Sequence, residues 1–382
     1  MESAPKPIVF SRENTVGPLG IVGLPGAEEL SEKIDQHLLR WAKRDGWNKD
    51  SFLVENECPR FSSGDAKGLL RSTVRGCDLY FIMDVGNYSC TYSYFGNINH
   101  MSPDDHFQNL KRLIQAAGGK ARRLTVIMPI LYGGRQHRKN YRESLDCAWA
   151  LQELHQMGVS NIVSFDAHDP RVQNAVPLVG FDNMMPYYQV LKQLFRSFPD
   201  ISTQRDAFMT VSPDEGAMSR NMYYSSVLGV DLGMYYKRRD YSRVVRGRNP
   251  IVAHEYLGAD PKGKDVLVAD DNITSGETML GIARDLKERK AKRIFTYATY
   301  CTFSGGLEPF DKAYQEGIID GVLGSNLTYR PESLKSRPWF HEVDVSKYVA
   351  YMINALNHDM SVSKLIDPHE KIKALLEKRS IR

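Results

Sequence analysis

Apolar positions along this chain alternate between two patterns. Short, largely apolar runs at 79–83, 124–128, 161–164, 208–211, 233–236, 266–269, 294–300 and 318–322 have the length of strands buried on both faces. Between them, 27–42, 106–117, 144–157, 187–198, 216–228, 309–317 and 345–357 repeat apolar residues at helical spacing, as amphipathic helices do. Residues 88–105 are polar and aromatic without a clear period, and read as a long loop. Strand and helix alternate through both halves, which predicts an α/β protein of two similar domains, each a mainly parallel sheet flanked by helices. The expected division is an N-terminal extension over 1–16, a first domain over 17–184, a second over 185–345 and a helical tail over 346–382.

Composition narrows the class without changing the fold. A chain of 382 residues with 42% hydrophobic and 25% charged residues has the size of about two soluble domains. A net charge of +4 argues against broad nucleic-acid binding. Five scattered cysteines with no paired metal spacing suit reduced thiols in the cytoplasm. No apolar run approaches a signal peptide or a membrane span, so a cytoplasmic protein with no membrane partner is expected.

The chemistry concentrates at 266–278, Val-Leu-Val-Ala-Asp-Asp-Asn-Ile-Thr-Ser-Gly-Glu-Thr. A buried strand runs into Asp270 and Asp271, then Thr274, Ser275, Gly276 and Thr278 open a helix. A tight turn of small hydroxylated residues presents backbone N–H groups to a phosphate, aided by the helix dipole. Two carboxylates beside it would repel that phosphate but suit hydroxyl groups or a divalent cation. A sugar phosphate satisfies both halves. The stretch resembles the PRPP-binding signature of the type I phosphoribosyltransferase-like fold.

Other candidates lie at further strand ends, where α/β sheets bind ligands. Gly134-Arg135-Gln136-His137-Arg138-Lys139 is either a solvated basic turn or a flexible arm, 133–142, that meets a polyphosphate. Lys237 and Arg239 alternate onto one face of an extended segment, an arrangement suited to charge on a transferring phosphoryl group. His168, between Asp166 and Asp169, reads as a structural residue or as a metal or acid–base group. Asp214 could cap the next helix or bind a hard cation such as Mg²⁺. Gly258–Lys264 spells P-loop spacing but precedes a strand and lacks the final Ser or Thr, so it is rejected.

In order along the chain these loops resemble the ribose-phosphate pyrophosphokinase (PRPP synthetase) family. Phe61-Ser62-Ser63-Gly64-Asp65 looks like its adenine-binding segment, 134–139 like its Ala-Arg-Gln-Asp-Arg-Lys loop, Phe165–His168 like Met-Asp-Leu-His, Val211–Asp214 like Val-Ser-Pro-Asp, and Lys237–Arg239 like its catalytic Lys-x-Arg. The resemblance implies two phosphoribosyltransferase-like domains that make PRPP and AMP from ATP and ribose 5-phosphate. It implies ATP contacts at Phe61, Ser63, Asp65, Arg135 and Gln136, and Mg²⁺ at His168 and Asp214. Catalytic roles would fall to Lys237, Arg239 and His168, with ribose 5-phosphate on Asp270, Asp271, Thr274, Ser275, Gly276 and Thr278. The family also implies a dimer-based homo-oligomer, often a hexamer. The chain departs from the pattern at His137, where the family has Asp, at Ser63 (Asn), Asp65 (Glu) and Thr274 (Asp in many members), and lacks a His near Tyr300 and Cys301. Two alternatives remain, a phosphoribosyltransferase that joins PRPP to a base, and a non-catalytic partner of a true synthetase.

Overall fold

The computed structural model describes residues 14–139, 141–239 and 251–380. They divide into two compact units. One comprises the described residues up to Pro186 with Asn326–Tyr329 and Asp344–Asp367; the other comprises those described between Tyr187 and Ser325, Arg330–Val343 and those from Pro368 onward. The expected tail, 346–382, is thus shared between the units: helix Ser346–Asn357 belongs to the first and helix His369–Ser380 to the second.

The first unit is built on five strands, β1 (Leu19–Gly23), β2 (Asp78–Ile82), β3 (Arg123–Ile127), β4 (Asn161–Phe165) and β5 (Gly180–Met184), laid side by side in that order. All pair in parallel. A short bridge from Ile21 to Leu53 extends the sheet beyond β1. Helices Pro103–Ala117 and Asp146–Gln156 bury Leu110, Leu113, Leu151 and Leu154 with Leu79 and Phe81 in one core. Helix Glu28–Arg44 is absent from that cluster and stacks Trp41 on Tyr351 of helix Ser346–Asn357, ring centroids 4.4 Å apart. The chain leaves β1 towards Leu53 but leaves β2 towards β3, so the topological switch falls between β1 and β2. Just past β2, the carboxylate of Asp84 accepts from the Gly86 and Tyr329 amides and the Thr328 hydroxyl. Two backbone amides and one hydroxyl of the chain occupy that acid.

Residues 88–105 correct the expected loop. They contain an antiparallel hairpin, Thr91–Tyr94 with Asn97–His100. Its two turn residues, Phe95 and Gly96, have φ of 47° and 79°, the left-handed pair that closes a two-residue hairpin with matching twist. Most of its side chains are exposed, so no buried face imposed the alternation that marks a strand in sequence. The following helix begins at Pro103 behind a capping box made by Ser102 and Asp105, which fixes its start.

The second unit holds β6 (Phe208–Ser212), β7 (Asp231–Arg239), β8 (Ile251–Gly258), β9 (Asp265–Ile273), β10 (Arg293–Cys301), β11 (Gly321–Ser325) and β12 (Phe340–Val343). Their order across the sheet is β8-β7-β6-β9-β10-β11-β12. Every pair is parallel except β7 with β8, an antiparallel edge that strand-by-strand reading of the sequence did not include. Helices Glu277–Glu288 and Glu308–Gln315 cover one face, where Phe303, Phe310 and Trp339 pack edge and face together. Here the switch falls between β6 and β9, because β6 feeds β7 on one side and β9 feeds β10 on the other.

Candidate functional site

Two strand ends meet at the second unit's switch point, and both carry acids. After β6 the chain turns through Ser212-Pro213-Asp214. The Ser212 hydroxyl donates to the Asp214 carbonyl at 2.7 Å, and the Ala217 amide donates to Asp214 Oδ1 at 3.1 Å. Asp214 therefore braces the turn that precedes helix Met218–Leu228, whose N-cap is Ala217 with no side-chain cap.

β9 runs four residues further than the apolar pattern predicts. On the β6 side pairing stops at Val268, whereas on the β10 side it continues to Ile273. Asp270 and Asp271 thus lie on a strand extension with a ladder on one side only, not beyond the strand end. The Asp271 amide donates to Asp270 Oδ1 at 2.8 Å. Arg220, 8% exposed, sets its guanidinium Nη1 3.6 Å from Asp270 Oδ1. Burial, then the Asp271 charge, push the Asp270 carboxyl well above the usual carboxylate range, with Asp214 adding to the rise and Arg220 opposing it. Carboxylates packed this closely share protons or gather partners that carry hydrogen or positive charge.

Asn221 fixes the strand extension. Its side chain is fully buried, donates to the Ala269 carbonyl at 2.8 Å and accepts from the Ala269 amide at 3.3 Å. Reading from sequence missed both Arg220 and Asn221. The signal was present: with Tyr224 and Leu228 they form the buried face of helix Met218–Leu228, where polar residues need a stated partner.

The turn after β9 is tight and opens a helix, as expected. Gly276 takes φ 85° at the N-cap of helix Glu277–Glu288. A Cβ there would lie 2.3 Å from the Phe310 ring, and one on Gly305 would lie 2.9 Å from the Ser275 carbonyl. The Ser304 amide donates to the Thr274 carbonyl at 2.8 Å, so a second loop holds the turn. Ser275 and Thr278 remain exposed at the positive end of the helix. The structure brings Asp214, Asp270, Asp271, Thr274, Ser275, Gly276 and Thr278 together within one unit.

Lys237 and Arg239 stand at the end of β7, opposite His254 and Ile251 of β8, with a register shift between Arg238 and Arg239. Their side chains lie outside the described residues, as does the shared face expected for them.

The remaining candidates belong to the first unit. The Phe61 amide donates to the Asp65 carbonyl at 2.7 Å and the Ser63 hydroxyl to Asp65 Oδ2 at 2.9 Å, which leaves the Phe61 ring 52% exposed. Tyr94 of the hairpin packs against Gly64. Arg135 is exposed, while the Gln136 amide donates to the Ser144 carbonyl at 2.8 Å and so braces its own loop. His168 is exposed just past β4, its ring centroid 5.3 Å from that of His137. Among the described residues no group of three or more His, Cys, Asp or Glu is disposed to hold a metal, and no helix is long and apolar enough to cross a membrane.

A sheet whose switch point joins paired acids to a hydroxyl-rich helix N-terminus defines a phosphoribosyltransferase-type protein. Residues 19–158 match the N-terminal domain of ribose phosphate pyrophosphokinase, and 189–318 match the phosphoribosyl transferase domain. The ribose-phosphate pyrophosphokinase of Vibrio cholerae is 26% identical over 313 residues, covering 81% of this chain and 90% of that protein. That of Chromobacterium violaceum is 26% identical over 342 residues, covering 89% and 92%. In fold, the chain is similar to phosphoribosylpyrophosphate synthetase from Mycobacterium smegmatis, with a TM-score of 0.69 at 22% identity over 89% of this chain and 99% of that one. The chain belongs to the ribose-phosphate pyrophosphokinase family of enzymes.

Proposed function

We propose that the chain transfers the terminal pyrophosphoryl group of ATP to the anomeric hydroxyl of ribose 5-phosphate. The hydroxyl oxygen attacks the β-phosphorus, the bond from that phosphorus to the α-phosphate bridging oxygen breaks, and AMP leaves. The observation that carries this reading is the second unit's switch point, where Asp270 and Asp271 stand beside the turn Thr274–Thr278. The acids accept from vicinal ribose hydroxyls, and the turn donates backbone N–H groups to the 5-phosphate. Phe61, Ser63 and Asp65 form the adenine contact, with Arg135 and Gln136 on the nucleotide. Lys237 and Arg239 neutralise the transferring group.

The acids fit a hard cation. Asp214 spends one oxygen on the Ala217 amide, and a carboxylate has further lone pairs for an ion. Asp214 in the second unit and His168 in the first would each be a ligand for Mg²⁺, which when bound would draw charge from phosphate oxygens. The reading extends to a cytoplasmic, dimer-based homo-oligomer, with the nucleotide segments over 17–184 and the sugar phosphate over 185–345. Incubation with ATP, Mg²⁺ and ribose 5-phosphate tests it by the nucleotide released. AMP is the expected product; ADP, or no turnover without a free base, would replace the reading with an ordinary kinase or a phosphoribosyltransferase.

A further inference from the structure

The hairpin Thr91–Tyr94 with Asn97–His100 keeps most of its side chains exposed, and a lone two-stranded ribbon is marginal in water. Contacts with the neighbouring segment 60–65 hold it in place. The Arg60 guanidinium lies over the Tyr92 ring, 4.2 Å from its centroid. The same side chain, mostly buried, donates from Nη2 to Asp105 Oδ1 at 2.8 Å and from Nη1 to the Gly64 carbonyl at 3.2 Å. Asp105 in turn closes the capping box of helix Pro103–Ala117, whose Leu110 and Leu113 lie in the first unit's core. One guanidinium therefore ties a core helix, the hairpin and the turn together.

The hairpin tip adds two further contacts. The Phe95 amide donates to the Ser62 carbonyl at 3.4 Å. The Tyr94 ring lies so close to Gly64 that a Cβ built there would stand 2.6 Å from it, and Gly64 also takes φ 92°. Glycine meets both demands, the positive φ and the close approach. The turn's own backbone bonds, Phe61 to Asp65 and Gly64 to Phe61, stay within 61–65, and a turn closed only on itself opens readily. The hairpin supplies the outside support. Its contacts fall on Arg60 and on the backbone of Ser62 and Gly64, while the Phe61 ring stays half exposed.

We infer that the hairpin 91–100 is a buttress that holds the turn 61–65 in its base-binding shape before any ligand arrives, with Arg60, Tyr92 and Tyr94 as positioning residues. The inference rests on the adenine contact proposed above for Phe61, Ser63 and Asp65, and deepens it by naming what sets that contact's geometry. A turn already in shape has less conformational freedom to lose on binding, and the difference appears as affinity. The gain is confined to ligands that carry a base. A polyphosphate without one does not touch the turn and gains nothing.

The test uses the full-length protein without sugar. Hydrogen exchange across 61–65 is followed in the ligand-free protein, and ATP and inorganic tripolyphosphate are titrated separately by calorimetry. Tyr94→Ala, at a part-exposed position that can be truncated without opening the core, should speed exchange across 61–65 about tenfold. It should also weaken ATP binding about 5–10-fold and leave tripolyphosphate binding unchanged. Arg60→Met should do the same, and Tyr94→Phe, which keeps the ring against Gly64, should behave as the wild type. Unaltered exchange or ATP affinity in Tyr94→Ala, or equal weakening of both ligands, overturns the buttress. Phe61→Ala separates this inference from the reading beneath it. If that variant loses ATP affinity and Tyr94→Ala does not, the buttress alone falls. If Phe61→Ala binds ATP as the wild type does, the adenine contact is misplaced and the buttress falls with it.

Discussion

Arg220 holds a permanent charge inside the second unit, 3.6 Å from an acid that is itself crowded by two more. Truncating it leaves those carboxylates mutually repelling with no buried cation among them. Arg220→Ala is expected to cost about 3 kcal/mol and to lower the thermal midpoint; an unchanged midpoint would show that the pairing contributes nothing. The raised Asp270 carboxyl has a definite pH signature. A carboxyl whose folded value lies above its unfolded one binds more protons when folded, so its contribution weakens as pH rises from about 4 towards its folded value. The wild type should therefore lose stability relative to Asp270→Asn across that range, and parallel curves for the two proteins would refute the shift. Lys237 acts on the reacting phosphoryl group in the proposed reaction. Lys237→Ala should reduce turnover by about 10²–10³-fold while ribose 5-phosphate binding is retained, and equal loss of both would reassign it to binding.

At the scale of elements, β9, its turn and helix Glu277–Glu288 form one unit of function, and most of it could be read from residue order. The apolar run, the acids and the hydroxyl-rich turn are local, so 266–278 announced itself. The four-residue extension of β9 was not legible, because it depends on β10 pairing where β6 has already ended. The clamp by Asn221 and the approach of His137 to His168 were likewise hidden, since residues 48 and 31 positions away meet only in the fold. The hairpin at 91–100 was lost for the opposite reason: it is almost all surface. Gly276 tests this element. Its φ of 85° and the Phe310 ring leave no room for a side chain. Gly276→Ala should lower the thermal midpoint by about 5 °C and weaken ribose 5-phosphate binding; retention of both would mean the turn tolerates a Cβ.

At the scale of the molecule, the α/β class and the presence of two parallel-sheet domains followed from alternation alone. The path of the C-terminal third did not, because Asn326–Tyr329 and Asp344–Asp367 return to the first unit, and a return is a property of contacts between distant residues. The two switch points also differ in a way periodicity cannot express. In the first unit the acid at that place, Asp84, is taken up by the Thr328 hydroxyl and Tyr329 amide, whereas in the second the acids gather at the hydroxyl-rich turn. Chelating all divalent ions should stop AMP formation by the whole protein and leave binding of ribose 5-phosphate largely in place, and persistent turnover would deny the metal a role.

The claim on which the rest depends is that the acid pair and the turn after it hold a pentose phosphate. Calorimetric titration of ribose 5-phosphate into the wild type and into the Asp270→Asn, Asp271→Asn double variant measures it directly. The account predicts clear binding to the wild type and a loss of about 10²-fold in the variant. Equal affinity in the two proteins would contradict it.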